Sequence, residues 1–483
     1  MFTDNQSAIR HAIAGGHDVV QVLADGESDR QIARAVADLE AALPEPEALT
    51  AADAAIRRIA TTPDFHPGKP VPVGVVVDVE GAILPHLVGN DIGCGMRLVV
   101  LDGLTRDDIE AAGDLEAHLR HVFFQGGRDL AMTGRDRRAI LEAGVPGLIE
   151  SLESGQPKGL LARQSIADLW HDADRMAEAG VFESKGLEPG FADYGRMDDD
   201  HRHDAIMGTI GGGNHFVEIG VVDEIRDGAF ANHCGLKAGT VCLVVHSGSL
   251  DFGQRVGSTT AEKMAAEPGE GDRRIVSFAH RPALAERYRV GLANATNAAF
   301  VNRMTIAMAG IMVMERATGR EIHGRLVYDA PHNVAWIDPS GVTRHRKGAC
   351  PARGSDAMAG TPYAWFGEPV ILPGSMGDGT WLLVGTGHAA TLESSAHGAG
   401  RRLSRGEARL EAVVPGALRV VGPVDFAAPQ LAGRRDVLDD AEARLREEAP
   451  GAYRPLERVA EPMERAGMAR RAARIRPLLT VKG

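Results

Sequence analysis

The stretch Gly89–Arg97, GNDIGCGMR, constrains this chain more than any other. Asp91 and Cys94 stand three residues apart in a turn too rich in glycine for an ordinary helix. Gly93 and Gly95 flank the cysteine, so the backbone can bend tightly and carry both side chains towards one point. Apolar segments lie on either side, one ending at Val79 and the next beginning at Leu98–Leu101. A buried, strand-flanked turn that offers oxygen and sulfur is one half of a metal site. A cysteine in an apolar stretch is also a common small core residue. Further ligands have to decide between the two.

Three histidines supply them, each where a strand-like segment meets a turn of small or polar residues. They are His215 in IGGGNHFVEI (210–219), His246 in TVCLVVHSGS (240–249) and His332 in LVYDAPHNVAW (326–336). Taken singly, each fits a satisfied structural histidine. Taken with Asp91 and Cys94, they suggest strand ends that converge, where rigid scaffolds present functional groups. One carboxylate, one thiolate and three imidazoles can bind two divalent cations if one ligand is shared, and sulfur is the natural bridge. The donor mix suits Mn, Zn or Co, whereas Mg prefers oxygen alone.

His397 has another setting. HGAG is followed by Arg401, Arg402 and Arg405, and the pattern predicts that ESSAHGAGRRLSR (393–405) opens a basic helix. Small residues at a helix start let a phosphate reach backbone N–H groups, and an imidazole beside a bound phosphate can act as a nucleophile. A simple helix-capping turn is the alternative. PGSMG (373–377) offers backbone and hydroxyl groups to the edge of a base, and Lys482 sits in an apolar tail expected to dock inside.

Composition bounds the rest. Hydrophobic residues make up 44% and charged residues 25% of 483, as in globular proteins, and no run of 18 apolar residues suggests a membrane span. The start of the chain lacks the pattern of a secretory signal, and four cysteines in so long a chain make no disulfide framework. A cytoplasmic location with reduced thiols and no membrane partner is the expectation. The net charge of −13 argues against a protein that coats itself in nucleic acid, so any nucleic-acid surface must be a local basic patch.

The expected fold is α/β (mixed α+β), one large domain of mixed strands flanked by helices with its sites at strand-end turns. Residues 1–48 read as an N-terminal extension of unknown role, with a helix over Arg30–Leu43, and residues 49–483 as the main domain. Thr50 is expected to cap a short helix over AADAAIRRIA (51–60). Residues 105–180 and 278–318 read as helical, the methionines of the latter as core. MDDDHRHD (197–204) reads as a solvated loop and Asp436–Glu448 as an acidic helix. The arginines 470, 471, 474 and 476 read either as phosphate contacts or as a solvated helix face.

DIGCGM, GGGNHF, HSGS, YDAPHN, HRKGA, PGSMG, HGAGR and the terminal VKG occur in the order found in the RtcB family of RNA-splicing ligases. PDFHPGK (63–69) is similar to that family's PD-x-H segment, and the resemblance runs from about residue 60 to 483. It implies that Asp91, Cys94 and His215 hold one Mn²⁺, and Cys94, His246 and His332 a second. By the same resemblance His397 is the nucleophile that takes GMP from GTP. Asn214, His215, Phe216, Val217 and Glu218, His332 and Asn333, and Pro373, Gly374, Ser375, Met376 and Thr380 fall on the family's GMP-binding segments. So do Gly398, Ala399, Gly400, Tyr453 and Lys482. The implied reaction joins RNA ending in a 2′,3′-cyclic phosphate or 3′-phosphate to RNA with a 5′-hydroxyl, in tRNA splicing or RNA repair, with an archaease-like helper as a possible partner. Two departures stand out. Leu250 replaces the arginine of the usual HSGSR, and CPARGSDAMAG follows HRKGA in place of a basic, proline-containing run. Both touch surfaces expected to meet RNA. A dinuclear metal-dependent phosphoesterase and a non-catalytic RNA- or nucleotide-binding homologue are the rival readings.

Overall fold

Strand register explains how segments far apart in sequence meet. The computed structural model describes residues 9–25, 29–266 and 271–483. Its two main sheets use, in chain order, β1 (Ile9–Ala14), β2 (His17–Val22), β3 (Ala55–His66), β4 (Val73–Glu80), β5 (Gly95–Asp102), β6 (Phe216–Ile225) and β7 (Val241–Ser247). Then follow β8 (His323–Pro331), β9 (Asn333–Ile337), β10 (Val342–Lys347), β11 (Pro369–Pro373), β12 (Thr380–Gly385), β13 (Val420–Val421) and β14 (Ala469–Lys482). One sheet runs β1-β2-β3-β4-β10-β9; the other runs β8-β5-β7-β6-β14-β12-β11, with β13 beside β14. The helices that matter for the site are α1 (Asp29–Ala42), α2 (Gly134–Ser154), α3 (Pro282–Thr318), α4 (Arg405–Glu411) and α5 (Arg435–Glu447). The architecture is the expected mixed α/β one.

In the larger sheet Pro331 pairs with Gly95, Ser247 with Gly95 and His246 with Met96, while Phe216 pairs with both His246 and Lys482. Two adjacent rows across these five strands therefore carry the neighbours of Cys94 and His332 and, one residue on, the neighbour of His215 together with His246 and Lys482. His332 is also the residue at which the chain leaves β8 of one sheet and enters β9 of the other. The Asp91–Cys94 turn is stitched to that crossing: His332 N donates to Cys94 O at 2.7 Å and Gly93 N to Asn333 O at 2.8 Å.

Helix α3 lies behind this row. It is long and apolar enough to cross a membrane by length and composition, but 94% of its most apolar window is buried inside the protein. Gly93 (φ +75°) packs on it so closely that a β-carbon there would stand 2.7 Å from Ala299 Cβ. That position needs glycine for both its space and its backbone angle. The buried asparagines of α3 are engaged. Asn294 and Asn297 both donate to Leu141 O in α2, and their amide oxygens accept from Glu188 N and Phe182 N. Such pairing offsets the cost of placing polar groups in a helix core.

Residues 9–48 are packed onto the smaller sheet. β2 pairs in parallel with β3, and Ala35 and Leu39 of α1 are fully buried in a cluster with Ile59 and Val75.

Three local expectations are corrected. Residues 55–66 are strand β3, not a helix capped by Thr50; pairing with β2 and β4 overrides the helix propensity of an alanine-rich run. His397 is not at a helix start: it follows the short strand Ser394–Ala396, and α4 begins only at Arg405, capped by Ser404 accepting from Glu407 N. The arginines 470–476 lie on β14, not on a helix, and are engaged. Arg471 pairs with Glu457 and Glu464, Arg470 with Asp227, and Arg476 with Asp223.

Candidate active site

Cys94, His215 and His246 offer ligand atoms that all lie within 4.8 Å of one another. Cys94 Sγ is 3.2 Å from His215 Nε2 and 3.3 Å from His246 Nε2. On one side Asp91 Oδ2 lies 3.2 Å from His215 Nε2, and on the other His332 Nε2 lies 3.3 Å from His246 Nε2. The sulfur is thus the hinge of a chain that runs carboxylate, imidazole, thiol, imidazole, imidazole. His246 Nδ1 donates to the carbonyl of Asn214 at 3.0 Å, which fixes the tautomer and leaves the Nε2 lone pair facing the cluster. Gly248 holds the floor of the turn: a β-carbon there would sit 2.5 Å from Asp91 Oδ1.

The electrostatics match a cation site. Burial holds His246 and His332 well below the usual imidazole range, so both are neutral donors. Burial opposes ionisation of Asp91, but His215, Cys94 and Lys347 outweigh it and hold the carboxyl below its ordinary value. Burial and then the Asp91 charge push the Cys94 thiol up, so its thiolate form needs a neighbouring cation. The buried Nδ1 atoms of His215 and His332 have no hydrogen-bond partner among the described residues. Three imidazole Nε2 atoms, a sulfur and a carboxylate gathered together are a poor hydrogen-bond network and a good ligand set for divalent metal.

Two residues of α3 hold the ligand-bearing turns in place, and sequence reasoning missed both. Arg303, with no exposed surface, donates from Nη1 to Gly93 O at 2.6 Å and to Ser247 O at 3.0 Å, and from Nε to Asp329 Oδ1 at 2.8 Å. One guanidinium thus braces the residues beside Cys94 and His246 and the strand that ends at His332. Asn302 takes Gly208 N on its oxygen and donates to Ser247 Oγ and Gly248 O. The signal was an adjacent Asn–Arg pair in the buried, mostly apolar second half of the helix.

Beside the cluster opens a cavity of about 1170 Å³. His397 lines it, its ring centroid 4.8 Å from that of His332. Asp64 Oδ2 accepts from His397 Nδ1 at 2.6 Å and from its backbone N at 3.1 Å. Asp64 is the carboxylate of the PDFH segment, which had no role in the sequence reading. Burial opposes its ionisation, yet His397, Thr62 and His66 hold it below the usual carboxylate range.

The cavity wall carries Asn214, Phe216, Glu218 and Asn333 on one side, and Pro373, Gly374, Ser375 and Met376 on another. Gly398, Ala399, Gly400, Tyr453 and Lys482 complete it. Burial raises Glu218 to about 8, which keeps it a neutral acid able to donate a hydrogen bond. Lys482 Nζ donates to the His215 carbonyl at 3.0 Å and lies 3.6 Å from Glu448; burial lowers it to about 8. The Tyr453 hydroxyl bonds Glu448 and accepts from Arg401 at 2.9 Å, and the Arg401 guanidinium covers one face of its ring. Val217 and Thr380 are buried in β6 and β12, behind the lining; in β6 the alternation that turns Phe216 and Glu218 to the cavity turns Val217 to the core.

The basic residues around the site divide. Arg344 pairs with Asp78 and Arg346 is buried against Trp336 and Ser394, whereas Lys347 is half-buried near Asp91 on the cavity lining. Arg401, Arg402 and Arg405 do line the cavity. Leu250 is half-buried, its side chain against Gly211 in the loop before His215.

A thiol flanked by imidazoles and a carboxylate, next to a histidine–aspartate pair and a large cavity lined by arginines, is a donor set that can hold a divalent cation beside a pocket suited to an anion. A family model described as tRNA-splicing ligase RtcB matches residues 47–483, and the chain belongs to the RtcB family. It is 29% identical over 452 residues to the RNA-splicing ligase RtcB of Mycobacterium tuberculosis, covering 89% of this chain and 97% of that one. It is 30% identical over 460 residues to the tRNA-splicing ligase RtcB of Pyrobaculum aerophilum (87% of each chain), and 31% identical over 448 residues to that of Archaeoglobus fulgidus (87% and 86%).

Proposed function

We propose that this protein is a GTP- and Mn²⁺-dependent RNA ligase. It joins RNA 2′,3′-cyclic phosphate or 3′-phosphate ends to 5′-hydroxyl ends, in tRNA splicing or RNA repair. The observation that carries the reading is the placement of His397. Its Nδ1–H is bonded to the buried Asp64, so the lone pair is on Nε2, and its ring stands against the ligand cluster at the cavity wall. A neutral imidazole held this way is a nucleophile for a phosphoryl centre and a good leaving group once protonated.

In this reading His397 Nε2 attacks the α-phosphate of GTP and pyrophosphate leaves. The 3′-phosphate of the RNA, freed from a cyclic end by hydrolysis where necessary, takes GMP from the histidine. The 5′-hydroxyl of the second RNA then attacks that activated phosphate and GMP departs. Two Mn²⁺ ions held by Asp91, Cys94, His215, His246 and His332 supply charge stabilisation when bound. The neutral Glu218 and the 373–376 turn suit the guanine edge, and Arg401 and Lys482 suit phosphate oxygens. The four free thiols fit a cytoplasmic setting. A dinuclear phosphoesterase would account for the metal ligands but leaves the His397–Asp64 pair without a task.

The test is incubation with Mn²⁺ and α-labelled GTP. Acid-labile label on the wild-type protein, absent from His397→Ala, is the expected result. Sealing of 3′-phosphate RNA without any covalent label would overturn the histidine route. An archaease-like helper added to the same reaction should raise the labelling rate.

A further inference from the structure

Helix α1 lies ahead of the residues that the family model matches, which begin at 47. Yet its Arg30 and Arg34 line the same cavity as His397. They are one turn apart on one face, about 6 Å along the axis, and both are exposed. The opposite face is anchored by the fully buried Ala35 and Leu39, so the helix is held rigidly against the smaller sheet. It is also tied to the loop that follows His397: Gln31 Nε2 donates to the carbonyl of Arg402 at 2.8 Å. Glu407 of α4, held below the usual carboxylate range chiefly by Ser404, also feels Arg34.

Beside this helix stand the exposed Arg402 and Arg405, the latter 3.7 Å from Glu447, and the exposed Lys69 also lines the cavity. The Arg405 guanidinium reaches to 3.0 Å from where a β-carbon on Gly213 would stand, two residues from His215. These five cations face the carboxylates of Asp38 and Glu407 on a rim whose parent chain carries a net charge of −13. Such local concentration of positive charge selects a polyanion. At about 1170 Å³ the cavity exceeds the roughly 300–1,000 Å³ typical of a single small ligand, leaving room for a polymer end beside a nucleotide.

We infer that α1 contributes to a phosphate clamp. Arg30 and Arg34, with Arg402 and Arg405 beside them, grip the sugar-phosphate backbone of single-stranded RNA as its end enters the cavity. That the polyanion is RNA rests on the function proposed above; the clamp itself rests on the rim.

The test uses the full chain and a 3′-phosphate RNA decamer. Arg30→Gln/Arg34→Gln should weaken equilibrium binding about 10-fold near physiological salt. It should also flatten the log–log salt dependence by about 1.4, because each phosphate neutralised on a single strand adds roughly 0.7 to that slope. Covalent labelling with GTP should stay within about two-fold of wild type. A control pair, Arg106→Gln/Arg135→Gln, removes two exposed arginines that do not line the cavity and should leave both RNA quantities unchanged. Wild-type affinity and salt slope in the Arg30/Arg34 variant would overturn the clamp, as would equal weakening in the control or absence of RNA binding by the wild type. If the wild type takes no label but the variant still loses RNA affinity, the clamp stands and the ligase reading falls.

Discussion

Asp64 and His397, 333 positions apart in sequence, are joined by a 2.6 Å contact between a fully buried carboxylate and an imidazole at the cavity wall. The second bond, from the His397 backbone N to the same oxygen, fixes the main chain as well as the ring. The aspartate therefore sets tautomer, orientation and position at once, as a carboxylate behind a catalytic imidazole does.

Asp64→Asn should lower covalent labelling by GTP on the order of 100-fold or more, because the amide cannot stabilise the imidazolium or enforce the tautomer. Bound Mn²⁺, read by elemental analysis, should be unchanged. Wild-type labelling in this variant would show that the pair is only structural.

His397→Ala should bind GTP and Mn²⁺ and form no covalent guanylate, yet seal an RNA supplied already activated as a 3′-diphosphoguanosine end. The 5′-hydroxyl attack has no use for a histidine nucleophile. Failure to seal that substrate with metal and GTP still bound would give His397 a further role.

Arg303→Lys keeps a cation for Asp329 but loses the fork that holds Gly93 O and Ser247 O together. Mn²⁺ affinity, followed by the spin-resonance signal of free Mn²⁺, should fall roughly 10–100-fold, as when groups supporting metal ligands are removed. Cys94→Ala, which removes the bridging sulfur, should leave the site largely empty. Undiminished affinity in both variants would mean that the metal is held elsewhere.

His345 is buried and His86 half-buried, and loss of hydration lowers each to about 4. Between the ordinary histidine value near 6.5 and about 4 the unfolded chain binds protons that the folded one cannot. Folding stability should therefore fall as pH drops through that window, by about 1 kcal/mol per pH unit for each such histidine. Urea unfolding at pH 7 and pH 5 reads the loss. His86→Gln should show a smaller difference between the two pH values than the wild type.

Much of the site was legible in sequence because its chemistry is local. Asp91 and Cys94 share one glycine-rich turn, and His215, His246 and His332 each mark the end of an apolar run. Convergence of those ends was only implied; the pairing of Ala330, Met96, His246, Phe216 and Lys482 in one row produces it. Helix and strand were confused where propensity and tertiary pairing disagree. Residues 51–60 favour a helix alone, yet from Ala55 they belong to a strand between two partners, and His397 follows a strand that is too short to show a period. Asp64, Arg303 and α1 could not be assigned roles at all, since those roles depend on what lies opposite them after folding. Short-range pattern determined which residues carry the chemistry. Only the long-range pairing of the two sheets decided which carboxylate stands behind His397, which arginine braces the ligand-bearing turns and which helix lines the cavity, because burial and distance are properties of the folded chain.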